Sequence, residues 1–92
     1  MKQLLTTSLL ALMAALPLQA LALADCPAYP KAEWGSEDTL KQALKDEGYR
    51  VKFFKIDGNC YEMYGFNQAG KKVEIYFDMK TFAIIKAISL KD

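Results

Sequence analysis

Hydrophobic side chains beyond residue 36 follow a helical period first and a strand period afterwards. Between Glu37 and Glu47, leucine and alanine recur three and four positions apart, with lysines on the opposite side, as in an amphipathic helix. Ser36 stands where a helix N-cap is expected, and Gly48 stands where a left-handed residue ends a helix. The pattern therefore predicts one short helix over residues 37–47, with an apolar face that packs against another element.

Four segments after this helix have the composition of β-strands, and turn-forming residues separate them. The third alternates most clearly, with Val73, Ile75 and Phe77 on one side and polar residues between them. Short connections favour antiparallel pairing, because parallel neighbours need a longer crossover. We therefore expect an α+β fold in which one N-terminal helix packs on a four-stranded antiparallel sheet. The predicted strands span residues 50–56, 60–66, 71–77 and 83–90.

The first 24 residues carry a different pattern, which is typical of a secretory signal peptide. Lys2 precedes an almost unbroken apolar run over residues 4–18, and small residues lie just before Asp25. The run is shorter than the roughly 20 residues that a membrane-spanning helix needs. We expect cleavage near Asp25, with cleavage after Ala20 as the alternative. The mature domain, residues 25–92, would then lie in the periplasm or outside the cell.

Export makes a disulfide the expected state of the two cysteines, Cys26 and Cys60. A loop of about 35 residues closed in this way contributes roughly 4 kcal/mol in the chain-entropy model. A domain this small needs such a cross-link for stability, because it buries only about 60% of the surface that its unfolded chain exposes. A redox pair is disfavoured by the wide spacing, and a metal site by two thiols without histidine. Lipid attachment at Cys26 is disfavoured by Asp25, because such attachment requires a small neutral residue directly before the cysteine.

Charge and residue inventory exclude several classes of function. The chain has 12 lysines and arginines against 11 acidic residues, and removal of Lys2 leaves a mature net charge near zero. A nucleic-acid binder or a polybasic membrane protein would need a basic excess. Histidine, the commonest general base, is absent from the sequence. Ser36 is accounted for by capping, and Ser89 has no base nearby in the sequence. We therefore expect a non-enzymatic protein without a cofactor.

Several of these motifs resemble the PepSY domain family, in particular its small secreted members. The resemblance runs from Trp34 to about Ile88 and includes the capped helix, the Gly58-Asn59-Cys60 turn with its following strand, and the segment from Gly70 to Asp78. The family usually has proline and glycine where this chain has Met79 and Phe82. The resemblance implies a non-enzymatic module like those of protease propeptides and envelope proteins, for which a protease-inhibiting or regulatory role has been proposed.

Alternation along the strands divides their side chains between the two faces of the sheet. We expect the helix to cover Val51, Phe53, Tyr61, Met63, Val73, Ile75 and Phe77. The opposite face then carries Phe54, Ile56, Tyr64, Phe66 and Tyr76, bordered by Lys52, Lys72 and Lys86. A solvated sheet face is normally polar, so an apolar, tyrosine-rich one is typical of an interface.

The leading hypothesis is therefore an exported module that binds a protein partner. Its candidate action is to inhibit a secreted or periplasmic hydrolase, such as a protease. Its candidate contacts are Phe54, Tyr64, Phe66 and Tyr76, with Lys52 and Lys72 supplying charge. An alternative is that the proline-containing segment over residues 25–34, which we call the lead-in, covers this face with Tyr29 as a second layer of core. Another is a structural envelope domain that forms a homodimer. Pairing at a free sheet edge and a ligand or metal carrier are further alternatives.

Overall fold

The computed structural model describes residues 24–91, so the predicted signal peptide lies outside the described residues except for Ala24. The helix and the four strands are found within a residue or so of their predicted bounds. A short 3-10 turn, Lys31–Glu33, precedes them in the lead-in. We label the elements α1 (Glu37–Asp46), β1 (Arg50–Asp57), β2 (Cys60–Phe66), β3 (Lys72–Asp78) and β4 (Ile84–Ser89).

The helix begins at the predicted residue, Glu37, and ends at Asp46, one residue before the predicted end. The Ser36 side chain accepts a hydrogen bond from the Thr39 backbone N–H at 3.3 Å, which caps the first turn. Glu47 caps the other end, and Gly48 follows with φ of 96°, a left-handed conformation that costs glycine little. Because residues 24–36 precede the helix, the structure confirms one helix on the sheet without placing that helix at the N-terminus of the chain.

The sheet is an antiparallel meander in the order β1-β2-β3-β4, as predicted. Leu40 and Leu44 of α1 pack on one face of it, which we call the helix face. Each is almost fully buried, and burial of a leucine side chain contributes on the order of 1.5–3 kcal/mol. The rest of this core consists of Tyr61, Met63, Val73, Ile75, Phe77 and Met79.

A β-bulge in β1 makes part of the predicted face assignment wrong. Val51 pairs with Gly65 and Phe53 pairs with Tyr64, so Lys52 is an extra residue that pairs with neither. The extra residue reverses the alternation beyond it, which places Phe54 and Ile56, rather than Phe53, on the helix face. The other predicted assignments hold: Val51, Tyr61, Met63, Val73, Ile75 and Phe77 lie on the helix face, and Tyr64, Phe66 and Tyr76 on the opposite one.

Gly65 allows the two strands to approach at this bulge. A Cβ atom at residue 65 would collide with the carbonyl oxygen of Arg50. The bulge in β1 therefore depends on the absence of a side chain at residue 65 in β2.

Cys26 and Cys60 form the predicted disulfide, with 5.4 Å between their Cα atoms. The bond holds the lead-in against the sheet face opposite the helix, which we call the far face. Cys26, Cys60 and Tyr76 are buried together there, with Ala24 and Ile88 packed at the margin.

The lead-in then continues along the end of the helix-face core. The Trp34 indole N–H donates to the Tyr29 carbonyl at 3.0 Å, and the Tyr61 hydroxyl donates to the Gly35 carbonyl at 2.8 Å. The Tyr29 hydroxyl donates to Asp78 Oδ2 at 2.9 Å. Tyr29 therefore packs at the edge of the helix-face core. It does not cover the far face, so this part of the alternative drawn from the sequence is wrong.

The β3–β4 turn differs from the pattern expected of the resembled family. Phe82 occupies the position of the usual glycine and adopts a left-handed φ of 65°. That conformation costs a non-glycine residue roughly 1–2 kcal/mol. The Phe82 ring packs against the main core, and Asp78 accepts hydrogen bonds from the backbone N–H groups of Lys80 and Thr81. Partial burial of the Phe82 ring offsets part of the backbone cost.

Replacing both Cys26 and Cys60 with alanine is expected to lower the free energy of unfolding by roughly 4 kcal/mol, because the cross-link restricts the unfolded chain. Urea unfolding followed by circular dichroism measures this loss. A reducing agent should produce a similar loss in the unaltered protein and none in the double variant. A loss below about 1 kcal/mol would contradict a stabilising role for the bond.

Candidate functional site

The far face combines a covered half and an open half. Tyr76 is only 1% exposed because the disulfide and the lead-in lie over it. Phe53 and Tyr64 are paired neighbours in the open half and are 66% and 42% exposed. The suggestion that the lead-in covers this face is thus correct for one half only.

A shallow depression of about 220 Å³ lies in the open half, and we call it the aromatic depression. Phe53, Tyr64 and Phe66 supply its rings, while Lys52 and Lys72 lie at its border. The bulge matters here, because it turns Phe53 onto the far face. The remaining lining residues are Gly65 and Leu90.

The structure brings together four of the six predicted contact residues: Lys52, Tyr64, Phe66 and Lys72 line the aromatic depression. The other two lie elsewhere. Phe54 faces the helix, where its ring centroid is 5.4 Å from that of Tyr61. Tyr76 is buried beside the disulfide. Neither Phe54 nor Tyr76 belongs to this depression.

A second cavity of about 430 Å³, which we call the acidic cleft, adjoins the first. The two share Phe53 and Tyr64 as walls. Glu62 and Glu74 supply the acidic groups, and the lining is completed by Phe54 and Lys55. Glu62 is only 3% exposed although it carries a carboxyl group.

Burial raises the pKa of Glu62 to about 7, and a hydrogen bond and charge repulsion from Glu74 act in the same direction. Lys55 opposes this shift, with its Nζ atom 3.7 Å from Glu62 Oε1. The Tyr76 hydroxyl donates to Glu74 Oε2 at 3.0 Å, and burial followed by this bond raises the pKa of Tyr76. The Glu62 carboxyl group is therefore partly protonated near neutral pH.

Sequence reasoning missed Phe53, Glu62 and Glu74 as site residues. Phe53 was missed because the bulge is invisible to simple alternation. The sequence pattern could have singled out Glu62, because this residue interrupts an otherwise apolar and aromatic strand. Its neighbour Glu74 looked like an ordinary solvated position, because only the strand register places it diagonally across from Glu62.

Over residues 24–91, no three His, Cys, Asp or Glu side chains are arranged to hold a metal ion. Nor is any helix in the described part of the chain long and apolar enough to cross a membrane. The two cavities are open to solvent and place aromatic rings beside charges of both signs.

A family model described as "Peptidase propeptide and YPEB domain" matches residues 6–88, which is most of the chain. The chain belongs to the PepSY family. PepSY domains are generally propeptide-like or inhibitor-like modules that interact with proteins, and they are typically extracellular or periplasmic. They are generally non-catalytic. No curated protein matches the chain, and no solved structure matches it either.

Replacing Glu62 with Gln is expected to change how stability depends on pH. An unfolded Glu ionises near pH 4.3, whereas the native carboxyl group ionises at about 7. The unfolded state therefore loses this proton first, and the native state loses stability as pH rises from about 4.3 through 7. At pH 8 the variant should be more stable than the unaltered protein by roughly 1–3 kcal/mol, and at pH 4 about equal to it.

Urea unfolding across this pH range measures the difference between the two curves. Glu37→Gln is the matched control, because Glu37 is an exposed carboxyl group paired with Lys41 on the helix. Parallel curves for Glu62→Gln and the unaltered protein would contradict a protonated Glu62 in the native state.

Proposed function

We propose that the mature chain is an exported, non-enzymatic binding module that occupies the surface of a hydrolase, in the first instance a protease, through the aromatic depression. The observation that carries the proposal is the adjacency of Phe53 and Tyr64, two large apolar side chains that are 66% and 42% exposed. Exposed aromatic residues at the centre of a patch are typical of energetically dominant interface residues.

The border of the depression supports a partner of defined chemistry. Lys52 and Lys72 lie at its edge, and the Arg50 guanidinium carbon lies 4.7 Å from the centroid of the Phe66 ring. A partner would therefore place an apolar or aromatic side chain in the depression and carboxylate groups around it. Rim charges of this kind mainly govern the rate and specificity of association.

The family and the disulfide support the cellular setting. PepSY domains are generally protease-propeptide or inhibitor-like, which favours a hydrolase as the partner over an unrelated protein. The Cys26–Cys60 bond suits an oxidising compartment, and the first 24 residues have the layout of a signal peptide. We infer that the chain acts in the periplasm or in the medium.

A second candidate function is self-association as a structural envelope domain. The observation that favours it lies at the β4 edge, where Ile84 and Ile85 are 54% and 39% exposed. Edge strands with apolar side chains can pair with a second copy. A register shift near Ile85 interrupts this edge, and such bulges oppose edge-to-edge pairing.

Replacing both Phe53 and Tyr64 with Ser is expected to abolish partner binding while the circular dichroism spectrum stays unchanged, because both side chains are exposed. In-cell crosslinking of the tagged, exported protein, followed by mass spectrometry, should recover a hydrolase. The purified chain should then inhibit that hydrolase in a direct assay, and the double variant should not.

Ile84→Ser with Ile85→Ser is the matched control, since it removes two apolar side chains of similar exposure from β4, at the opposite edge of the sheet from β1. This control should bind the hydrolase normally. Loss of binding in the control but not in the Phe53 and Tyr64 variant would overturn the site. Recovery of only its own copies, with dimers in sedimentation that the control abolishes, would support the structural alternative.

A further inference from the structure

Glu62 presents a polar atom that lacks a partner. Its Oε1 atom is buried and accepts no hydrogen bond from any of residues 24–91, while the residue as a whole is only 3% exposed. Leaving such an oxygen unpaired is unfavourable, because burial has removed its hydrogen bonds to water, and more so when the group is charged. Glu62 lines the acidic cleft, so a donor that enters the cleft and displaces the exposed Lys55 side chain from beside this oxygen can hydrogen-bond to it.

The groups around Glu62 leave an excess of negative charge. Asp57 and Glu74 both lie close enough to hydrogen-bond with the Glu62 carboxyl group. Lys55 Nζ lies 3.7 Å from Oε1, beyond hydrogen-bonding distance, and the Lys55 side chain is 66% exposed. On β4, Lys86 lies opposite Tyr76 in the register and is exposed. One exposed lysine, Lys55, thus faces three carboxyl groups: those of Glu62 and Glu74, which line the cleft, and that of Asp57 beside Glu62.

The walls of the cleft suit an organic cation better than a bare metal ion. Phe53 and Tyr64 contribute aromatic side chains, which attract cations through their ring faces. A guanidinium group can stack on such a ring and donate two parallel hydrogen bonds to carboxylates. The volume of about 430 Å³ lies within the range of cavities that hold small organic groups.

We propose that the acidic cleft binds an arginine side chain of the partner protein, with Glu62 and Glu74 as acceptors and the rings of Phe53 and Tyr64 as walls. This inference deepens the proposed function and rests on it for the identity of the partner. The two neighbouring cavities then bind groups of opposite charge on the same partner segment. A cation lies in the acidic cleft, and carboxylates lie beside Lys52 and Lys72.

Binding of the cation is linked to ionisation of Glu62. A cation favours the charged carboxylate, so its binding expels the proton that Glu62 holds at about neutral pH. Affinity should therefore fall as the pH drops below 7. Lys55, Asp57, Glu74 and the Tyr76 hydroxyl are the other titratable groups that face this carboxyl group.

The experiment uses the purified domain with its disulfide intact and two small probes, N-acetyl-arginine methylamide and its citrulline analogue. Citrulline has nearly the same shape as arginine but carries no charge, so the pair isolates the cation. Carboxyl-carbon NMR of Glu62 and Glu74, recorded during titration with each probe from pH 5 to 9, measures binding and ionisation together.

The arginine probe should shift both carboxyl resonances saturably and lower the pKa of Glu62 by about one unit, while the citrulline probe should do neither. Glu62→Gln should weaken arginine binding by roughly tenfold, as expected for loss of one charge-assisted hydrogen bond. Glu37→Gln, which removes the same charge from the helix surface, should bind like the unaltered protein.

Equal responses to the two probes, or unchanged arginine affinity in Glu62→Gln, would overturn the assignment of the cleft. The test is independent of the hydrolase. Recovery of an inhibited hydrolase without arginine binding would reject this inference alone, and arginine binding without any captured hydrolase would reject the proposed function alone.

Discussion

The Cys26–Cys60 disulfide is the constraint on which the rest of this small domain depends. It joins the lead-in to the first residue of β2, and β2 is a central strand of the sheet. The bond therefore restricts the unfolded chain and also holds a strip of backbone over Tyr76. By covering one half of the far face, it leaves the other half, with Phe53 and Tyr64, exposed.

A second constraint acts within the sheet itself. The extra residue at Lys52 in β1, accommodated by the absence of a side chain at Gly65, exchanges the roles of Phe53 and Phe54. Phe54 joins the helix-face core, and Phe53 becomes an exposed wall shared by both cavities. A local backbone irregularity thus gives the far face its most exposed aromatic ring.

Electrostatics distinguish the two cavities that share this wall. The aromatic depression is bordered by Lys52 and Lys72, while the acidic cleft holds Glu62 and Glu74. Burial keeps Glu62 partly protonated near neutral pH, which lowers the cost of placing two carboxyl groups side by side. A surface with neighbouring sites of opposite charge suits a module that recognises another protein, in keeping with the PepSY family.

The sequence by itself determined the helix, the four strands, their meander order and the disulfide. These follow from local signals, namely Ser36 and Gly48 at the ends of α1, glycine-containing turns, and two cysteines in a chain with an export pattern. Of the six predicted contact residues, Tyr64, Phe66 and Lys72 also lie together because alternation in β2 and β3 is regular, and Lys52 joins them from the bulge in β1.

Only the tertiary structure decided which residues form the site. The bulge depends on how closely β1 and β2 approach, the burial of Tyr76 depends on the path of the lead-in, and the pairing of Glu62 with Glu74 depends on register between strands. Each is a contact between residues that are not local in sequence, and patterns within one segment carry no information about such contacts.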